Sequence, residues 1–383
     1  MERFPSAHAI LAAAIDERTF PAAVVEVGNR HEVLWREAHG RLSQEPEAPP
    51  TREDTVFDLA SLTKVVATTT LVMTLIEEGR LHLSDPVSRW LPDWRGRDRA
   101  QVAVEDLLAH TGGLTAWVPL YRDCAGRVEM EAAICEFPLE YRPRSQAVYS
   151  DLGFILLGFV IEDAGGAPLD EQFATVRNRM GPDAASSPSA FSRQPGAGYG
   201  EPLAFTPPSS WRHRIAPTEV DAWRGRLLVG EVHDENAWAL GGVAGHAGLF
   251  GTAGAVGCFA RAILDLRLGG RTRAGLARPE TVARFTRRGK IPGGSRALGW
   301  DTMLPTSSCG TRMSQEAFGH TGFTGTSLWI DPTPDVYVVL LTNRVNPSRA
   351  NDRIRTVRPA LHDAVMEDLG ITPPNPLRGV GAG

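Results

Sequence analysis

Lysine is almost missing from this chain of 383 residues: among 40 basic residues only Lys64 and Lys290 are lysines. Arginine keeps its proton near neutral pH, so a chain charged almost wholly by arginine has few amines able to act as a base. Cysteine is scarce as well. Cys124, Cys135, Cys258 and Cys309 are widely scattered with no C-x-x-C pair, which argues against a zinc knuckle or a dense disulfide framework and suits reduced thiols in a cytoplasmic protein. Neither sign of charge dominates. A net charge of -5 gives no general attraction to nucleic acid or to an anionic membrane. There is no long apolar run near the start: residues 7–18, interrupted by His8, are too short and alanine-rich for a membrane span and read as an amphipathic first helix, not a signal peptide. The expected partners are small molecules or short peptides, and the expected location is the cytoplasm. Oligomeric state is open.

Two enzyme classes are missing their signatures. Neither lysine stands in a G-x-x-x-x-G-K phosphate loop. The nearest approach to a G-x-S-x-G elbow, Gly293-Gly294-Ser295-Arg296-Ala297, ends in alanine and follows a basic turn at 287–292.

With 42% hydrophobic residues, the chain can build two domains or one large domain with an insertion. Residues 22–28 and 32–36 are β-rich runs separated by Gly28-Asn29-Arg30-His31, a hairpin signal. From Ser61 a helical pattern takes over, with Leu62, Val65, Val66, Thr69, Val72, Met73 and Ile76 recurring at helical spacing until Gly79. Between 84 and 295 the chain reads as helices and irregular segments, including an extended Pro-, Ser- and Ala-rich loop at 181–210. Strand character returns at 297–304, 325–330 and 336–341, and a last helix spans 350–369. Strands at both ends around a helical middle predict an α/β (α+β) fold. One antiparallel sheet would be assembled from residues 1–83 and 297–383, flanked by helices, with 84–296 as an inserted, mainly helical domain. A cleft between the lobes would hold the site.

Ser61 and Lys64 share the first turn of the second helix, where an amine three residues on can approach the hydroxyl. The positive end of the helix dipole disfavours an ammonium there, so the expectation is a neutral lysine that takes the serine proton. A capping serine beside a solvated lysine would give the same string. Tyr149-Ser150-Asp151, at the mouth of the apolar helix 152–161, offers a phenol to relay a proton and a carboxylate to hold hydrogen bonds; packing and helix capping would account for them equally. His320-Thr321-Gly322, just before the strand at 325–330, suits a substrate laid along a strand edge. A similar string, His110-Thr111-Gly112-Gly113, precedes no strand and reads as a helix-terminating loop. His233-Asp234-Glu235 fits no metal-ligand spacing and reads as a solvated or cleft-lining loop, and His246 as a loop histidine held by backbone.

In this order the strings resemble the S-x-x-K, Y-x-N and K/H-T-G signatures of the serine β-lactamases and penicillin-binding proteins, specifically the class C β-lactamase-related group with its esterases and D-aminopeptidases. Residues 107–114 and 245–252 are also similar to that family, and the likeness covers nearly the whole chain. It implies the β-lactamase/transpeptidase-like fold, no metal and no cofactor. It also implies a Ser61 acyl-enzyme, proton handling by Lys64 and Tyr149, and an oxyanion hole from the amides of Ser61 and Phe323. Asp151, His320, Thr321 and Gly322 would contact substrate. Two positions depart from the pattern. Asp151 replaces asparagine, and His320 replaces the lysine that would greet a β-lactam carboxylate, so an amide or ester other than an antibiotic is the expected substrate. A looser likeness points to cell-wall peptide fragments. The alternatives are a carboxylesterase, a weak β-lactamase, or a catalytically silent protein that binds peptidoglycan or β-lactams.

Overall fold

Side chains alternate across a strand, and here that alternation builds two cores. The computed structural model describes residues 3–177, 202–270 and 276–371. In chain order the elements are α1 (Pro5–Asp16), β1 (Ala22–Gly28), β2 (Val33–Gly40), β3 (Phe57–Asp58), α2 (Thr70–Glu77), α3 (Val104–Leu108), α4 (Gly126–Glu136), α5 (Asp151–Gly165), α6 (Leu169–Arg177), β4 (Leu203–Phe205), β5 (Val220–Asp221), β6 (Arg226–Leu227), α7 (Glu235–Ala239), β7 (Leu249–Gly251), α8 (Ala253–Arg267), α9 (Pro279–Thr286), β8 (Asp301–Thr302), β9 (Phe318–Thr321), β10 (Ser327–Asp331), β11 (Val336–Thr342) and α10 (Ile354–Asp368). Along β11, Tyr337, Val339 and Leu341 enter one apolar cluster while Val336, Val338 and Leu340 enter the other. The strand is therefore buried on both faces, which is why it reads as a continuous apolar run.

Six antiparallel strands in the order β2-β1-β11-β10-β9-β8 form the main sheet. Strands from both ends of the chain meet at its centre, with Val25 of β1 opposite Leu340 of β11. Helices α1 and α10 pack together on one face, and α8 lies against β1, β10 and β11 on the other. The sheet layer thus recruits a helix from within the segment 84–296. That segment also contains strands: β4 and β7 join β3 in a small sheet, so its irregular stretches are not wholly helical. The expected loop at 181–210 falls mostly outside the described residues; its described end carries β4. The expected strand at 297–304 shortens to β8, because only Asp301 and Thr302 find partners on β9.

Helix α5 explains how the insert is seated. Its residues 152–161 are all buried, and Gly158 lies against Gly245 so closely that a Cβ on Gly245 would collide with the Phe154 carbonyl and come within 2.8 Å of the Gly158 amide. Gly245→Ala is expected to cost about 3 kcal/mol through overpacking that the rigid backbone cannot relieve. A fall in the denaturant midpoint checks this, and an unchanged midpoint contradicts it. Among the described residues no single helix is long and apolar enough to cross a membrane; the bent pair α5 and α6 passes by length and composition, and α5 is core.

Candidate active site

Ser61 follows a strained residue. Ala60 has a φ of 47°, in the left-handed region that side chains rarely adopt. The strain is held from several sides: the Asp58 carboxylate accepts the amides of Ala60 at 2.8 Å and His233 at 2.7 Å. Thr324 Oγ1 donates to the Asp58 carbonyl and Thr326 Oγ1 to the Leu59 carbonyl. The expected uninterrupted α-helix does not begin at Ser61. Lys64–Thr69 is wound as a wider π-helix before the α-helical turns of α2, a local irregularity typical of functional sites.

Within this frame Lys64 Nζ, fully buried, donates to Ser61 Oγ at 3.0 Å and to the His246 carbonyl at 3.0 Å. Tyr149 OH donates to the same Ser61 Oγ at 2.9 Å. Asp151, the first residue of α5, meets Lys64 Nζ at 2.7 Å, a contact carried by charge more than by an aligned bond. The helix cap is Ser150, whose hydroxyl accepts the Gly153 amide, so Asp151 is free to face the lysine.

The electrostatics overturn the expectation of a neutral lysine. Burial acts to lower the Lys64 pKa, but the Asp151 carboxylate and Tyr149 outweigh it, and the net direction is upward from the usual lysine value. At neutral pH Lys64 is an ammonium. The dipole argument fails because a carboxylate in contact exceeds the partial charge of a helix end. Tyr149 is also held protonated: burial raises its pKa above the usual phenol value, with Asp151 adding to the rise and Lys64 opposing it.

His320 and Thr321 lie in β9, a strand the sequence pattern does not reveal; the His-Thr-Gly string ends this strand and does not merely precede β10. Strand β8 covers only Phe318 and Gly319, leaving the edge at His320 and Thr321 beyond it. Gly322 follows so closely on Leu59 that a Cβ would come within 2.7 Å of the Leu59 carbonyl. Arg358 donates to the carbonyls of Gly322 and Thr326, and Arg344 to that of Phe323. Among the described residues neither the Ser61 amide nor the Phe323 amide donates to a protein acceptor. The Thr324 and Thr326 contacts tie the Ser61 loop to the Phe323 loop.

His320 is buried and neutral. Its Nδ1 lies 2.8 Å from the Thr321 carbonyl, which can only accept, so the proton is on Nδ1. Burial, then the charges of Lys64 and Arg296, hold its pKa well below the usual histidine value.

His110 does terminate α3, with a left-handed φ of 57°. It is not outside the site, however: its ring packs 4.8 Å from that of Tyr149 and its Nδ1 accepts the Ser150 amide. Tyr149 is thus flanked by two histidine rings, with His320 at 5.8 Å. Nor is the stretch 233–235 solvated. His233 meets Glu219 at 2.9 Å, Arg349 joins Glu219 to Glu235, and Asp234 caps α7 while holding His246 Nε2 at 2.8 Å. These ion pairs satisfy the groups that could have ligated a metal. Among the described residues His8, Glu37 and His39 are placed to hold an ion, at α1 and β2 and away from Ser61.

Comparison with known proteins gives the family and the fold. The β-lactamase family model matches residues 7–362. A Salmonella agona protein named "Putative D-alanyl-D-alanine carboxypeptidase" is 33% identical over 337 residues, covering 79% of this chain and 72% of its own. A class C β-lactamase from Rhodobacter sphaeroides shares the fold with a TM-score of 0.71 at 20% identity, over 95% of this chain and 99% of its own. EstCE1, described as a hydrolase with promiscuous acyltransferase activity, superposes with a TM-score of 0.70 at 22% identity, over 94% and 98%. The chain belongs to the β-lactamase family and is a serine hydrolase.

Proposed function

We propose that Ser61 attacks the carbonyl of an amide or ester and forms an acyl-enzyme that water then hydrolyses, acting on short cell-wall peptide fragments. The observation that carries this reading is the convergence of Lys64 Nζ and Tyr149 OH on one serine oxygen. A silent binding protein has no need for two proton-handling groups on the same hydroxyl.

At rest Lys64 carries a proton and cannot accept another. When substrate closes the site and displaces water, a buried ion pair is favoured less and a neutral pair more. The Lys64 proton then passes to Asp151, and the freed amine takes the proton of Ser61 as its oxygen bonds to the carbonyl carbon. The oxyanion is received by the amides of Ser61 and Phe323. Tyr149 hands its proton to the leaving nitrogen or oxygen, and its phenolate is refilled from Lys64. Thr321, at the open edge of β9, accepts the substrate backbone as an added strand, whereas Gly322 does not, since its amide donates to the Thr326 carbonyl and its own carbonyl accepts Arg358. A neutral His320 supplies no fixed charge, which favours a substrate other than a β-lactam. The carboxypeptidase name of the Salmonella relative supports a peptide substrate.

The test is a panel of p-nitrophenyl esters, nitrocefin, D-amino-acid amides and muropeptides, with mass spectrometry of quenched protein. A mass increase on Ser61 with peptide or ester is expected. Rapid nitrocefin turnover would overturn the substrate reading, and the absence of a fluorophosphonate adduct on Ser61 in folded protein would overturn the mechanism.

A further inference from the structure

Two histidines and a glutamate meet on a face of the sheet that is otherwise apolar. Trp35, Glu37 and His39 lie along β2 opposite Val27, Val25 and Ala23 of β1, and those three β1 residues belong to the apolar cluster beneath α1 and α10. Side chains two apart on a strand share a face, so Glu37 and His39 point toward α1. His8, in the first turn of α1, comes down on them: its Nδ1 lies 3.0 Å from Glu37 Oε1, and its ring centre 5.3 Å from that of His39. His39 is only 8% exposed. Its Nε2 is 3.5 Å from Glu37 Oε2, yet it is out of alignment for a hydrogen bond, and no other described atom completes one. The Glu37 carboxylate is itself oriented, since the Trp35 indole donates to Oε2 at 3.2 Å and the Trp35 ring stacks on Phe4 at 5.1 Å.

An ion pair of His8 with Glu37 accounts for two of these groups and leaves the buried His39 nitrogen unexplained. A metal ion accounts for all three. The donor atoms of His8, Glu37 and His39 lie within 4.8 Å of one another. Metal bonds of about 2.0–2.2 Å at tetrahedral angles set donors about 3.3–3.5 Å apart, so small side-chain adjustments complete the set. Two imidazoles and a carboxylate suit zinc, whereas calcium and magnesium take oxygen donors. We infer that His8, Glu37 and His39 form a zinc site that clamps α1 to β2, with a fourth, solvent-facing position for water. His8 and Glu37 are each about a third exposed, which gives the ion an entry path. The same turn of α1 is tied to α10 by the Asp368 carboxylate, which accepts the Ser6 and Ala7 amides; the ion ties it to the sheet. Strand β2 is the outermost strand at the end of the sheet opposite β9 and β8, so the ion takes no part in the serine chemistry, and its role is to hold the first helix in place.

Calorimetric titration of the chelator-treated, whole 383-residue chain with zinc chloride tests this, beside thermal unfolding with and without zinc. One ion per chain is expected, and zinc should raise Tm by about 2–5 °C. His8→Ala and Glu37→Gln, at partly exposed positions where the fold survives the change, should each weaken binding by about 10- to 100-fold and remove most of the Tm rise. His31→Ala, at an exposed histidine in the β1–β2 turn, should alter neither. Cobalt(II) reports the ligand type: visible d–d bands without thiolate charge-transfer absorption are expected, and these bands should be lost in His39→Ala. Thiolate absorption would place the ion on the cysteines and overturn the inference. So would the absence of one-to-one binding, or binding at full strength in both His8→Ala and Glu37→Gln. Ser61→Ala should bind zinc with unchanged affinity; a loss there would move the ion to the serine cleft and overturn the inference too.

Discussion

Ser61→Ala is expected to lower kcat by about 10⁴- to 10⁶-fold on any substrate the protein turns over, since residues acting as one catalytic unit fail together. Lys64→Ala should fall almost as far, and the double variant no further than the worse single. The reason is geometric: one oxygen receives both proton-handling groups, at 3.0 and 2.9 Å, so removing any of the three breaks the same proton path. The two variants should differ in stability. Ser61→Ala leaves Lys64 its bonds to Asp151 and the His246 carbonyl and should unfold within about 1–2 kcal/mol of the parent. Lys64→Ala leaves the Asp151 carboxylate facing a void in the core and should cost about 3–5 kcal/mol. Steady-state kinetics with urea unfolding checks both. Additive losses in the double variant would mean that Ser61 and Lys64 act independently and that the proposed relay is wrong.

Asp151→Asn, which restores the amide of the family pattern, is expected to move the alkaline-rising limb of kcat/KM downward by about 1–3 pH units. The sign follows from Lys64. Its folded pKa is raised by Asp151 and Tyr149 against burial, so the amine that accepts the serine proton becomes abundant only at high pH unless Asp151 takes the lysine proton. With asparagine the opposing charge is gone, burial remains, and the lysine pKa falls. The stability linked to this pair behaves accordingly: it is fully present below the unfolded lysine pKa and is lost as pH rises through the folded one. The variant should therefore lose the Asp151 route for the lysine proton, so that its rate follows the lowered lysine pKa directly and rises with pH through it, and it should lose stability near neutral pH. An unshifted limb in a folded variant would remove Asp151 from proton transfer.

Much of the site is legible as short strings because its chemistry is local at three points. Ser61 and Lys64 are neighbours on one turn; Tyr149 and Asp151 start a helix; His320 to Gly322 end a strand. What surrounds them is not local. His110 could be dismissed because its string precedes no strand, yet it packs on Tyr149. Thr324 and Thr326 bond to carbonyls more than 260 positions away in sequence, and no periodicity signals such a contact. The strand β9 is missed for a similar reason: Phe318, Gly319, His320 and Thr321 do not alternate apolar with polar, and all but the last are buried. Its existence depends on β10, whose pairing partner it is.

Charge state lies furthest from the sequence. A helix start predicts a neutral lysine, and a carboxylate on a different helix reverses it; the same string, S-x-x-K, fits either outcome. By itself the sequence determined which side chains can do the chemistry, that strands from both ends share a sheet, and that position 320 holds no lysine, because each follows from residue identity or local spacing. Only the tertiary structure decided that Asp151 outweighs burial at Lys64, that two threonines tie the Ser61 loop to the Phe323 loop, and that Arg296 stands over the Tyr149 ring. Those properties depend on distances between distant segments, and electrostatic energy follows distance and burial, neither of which is written along the chain.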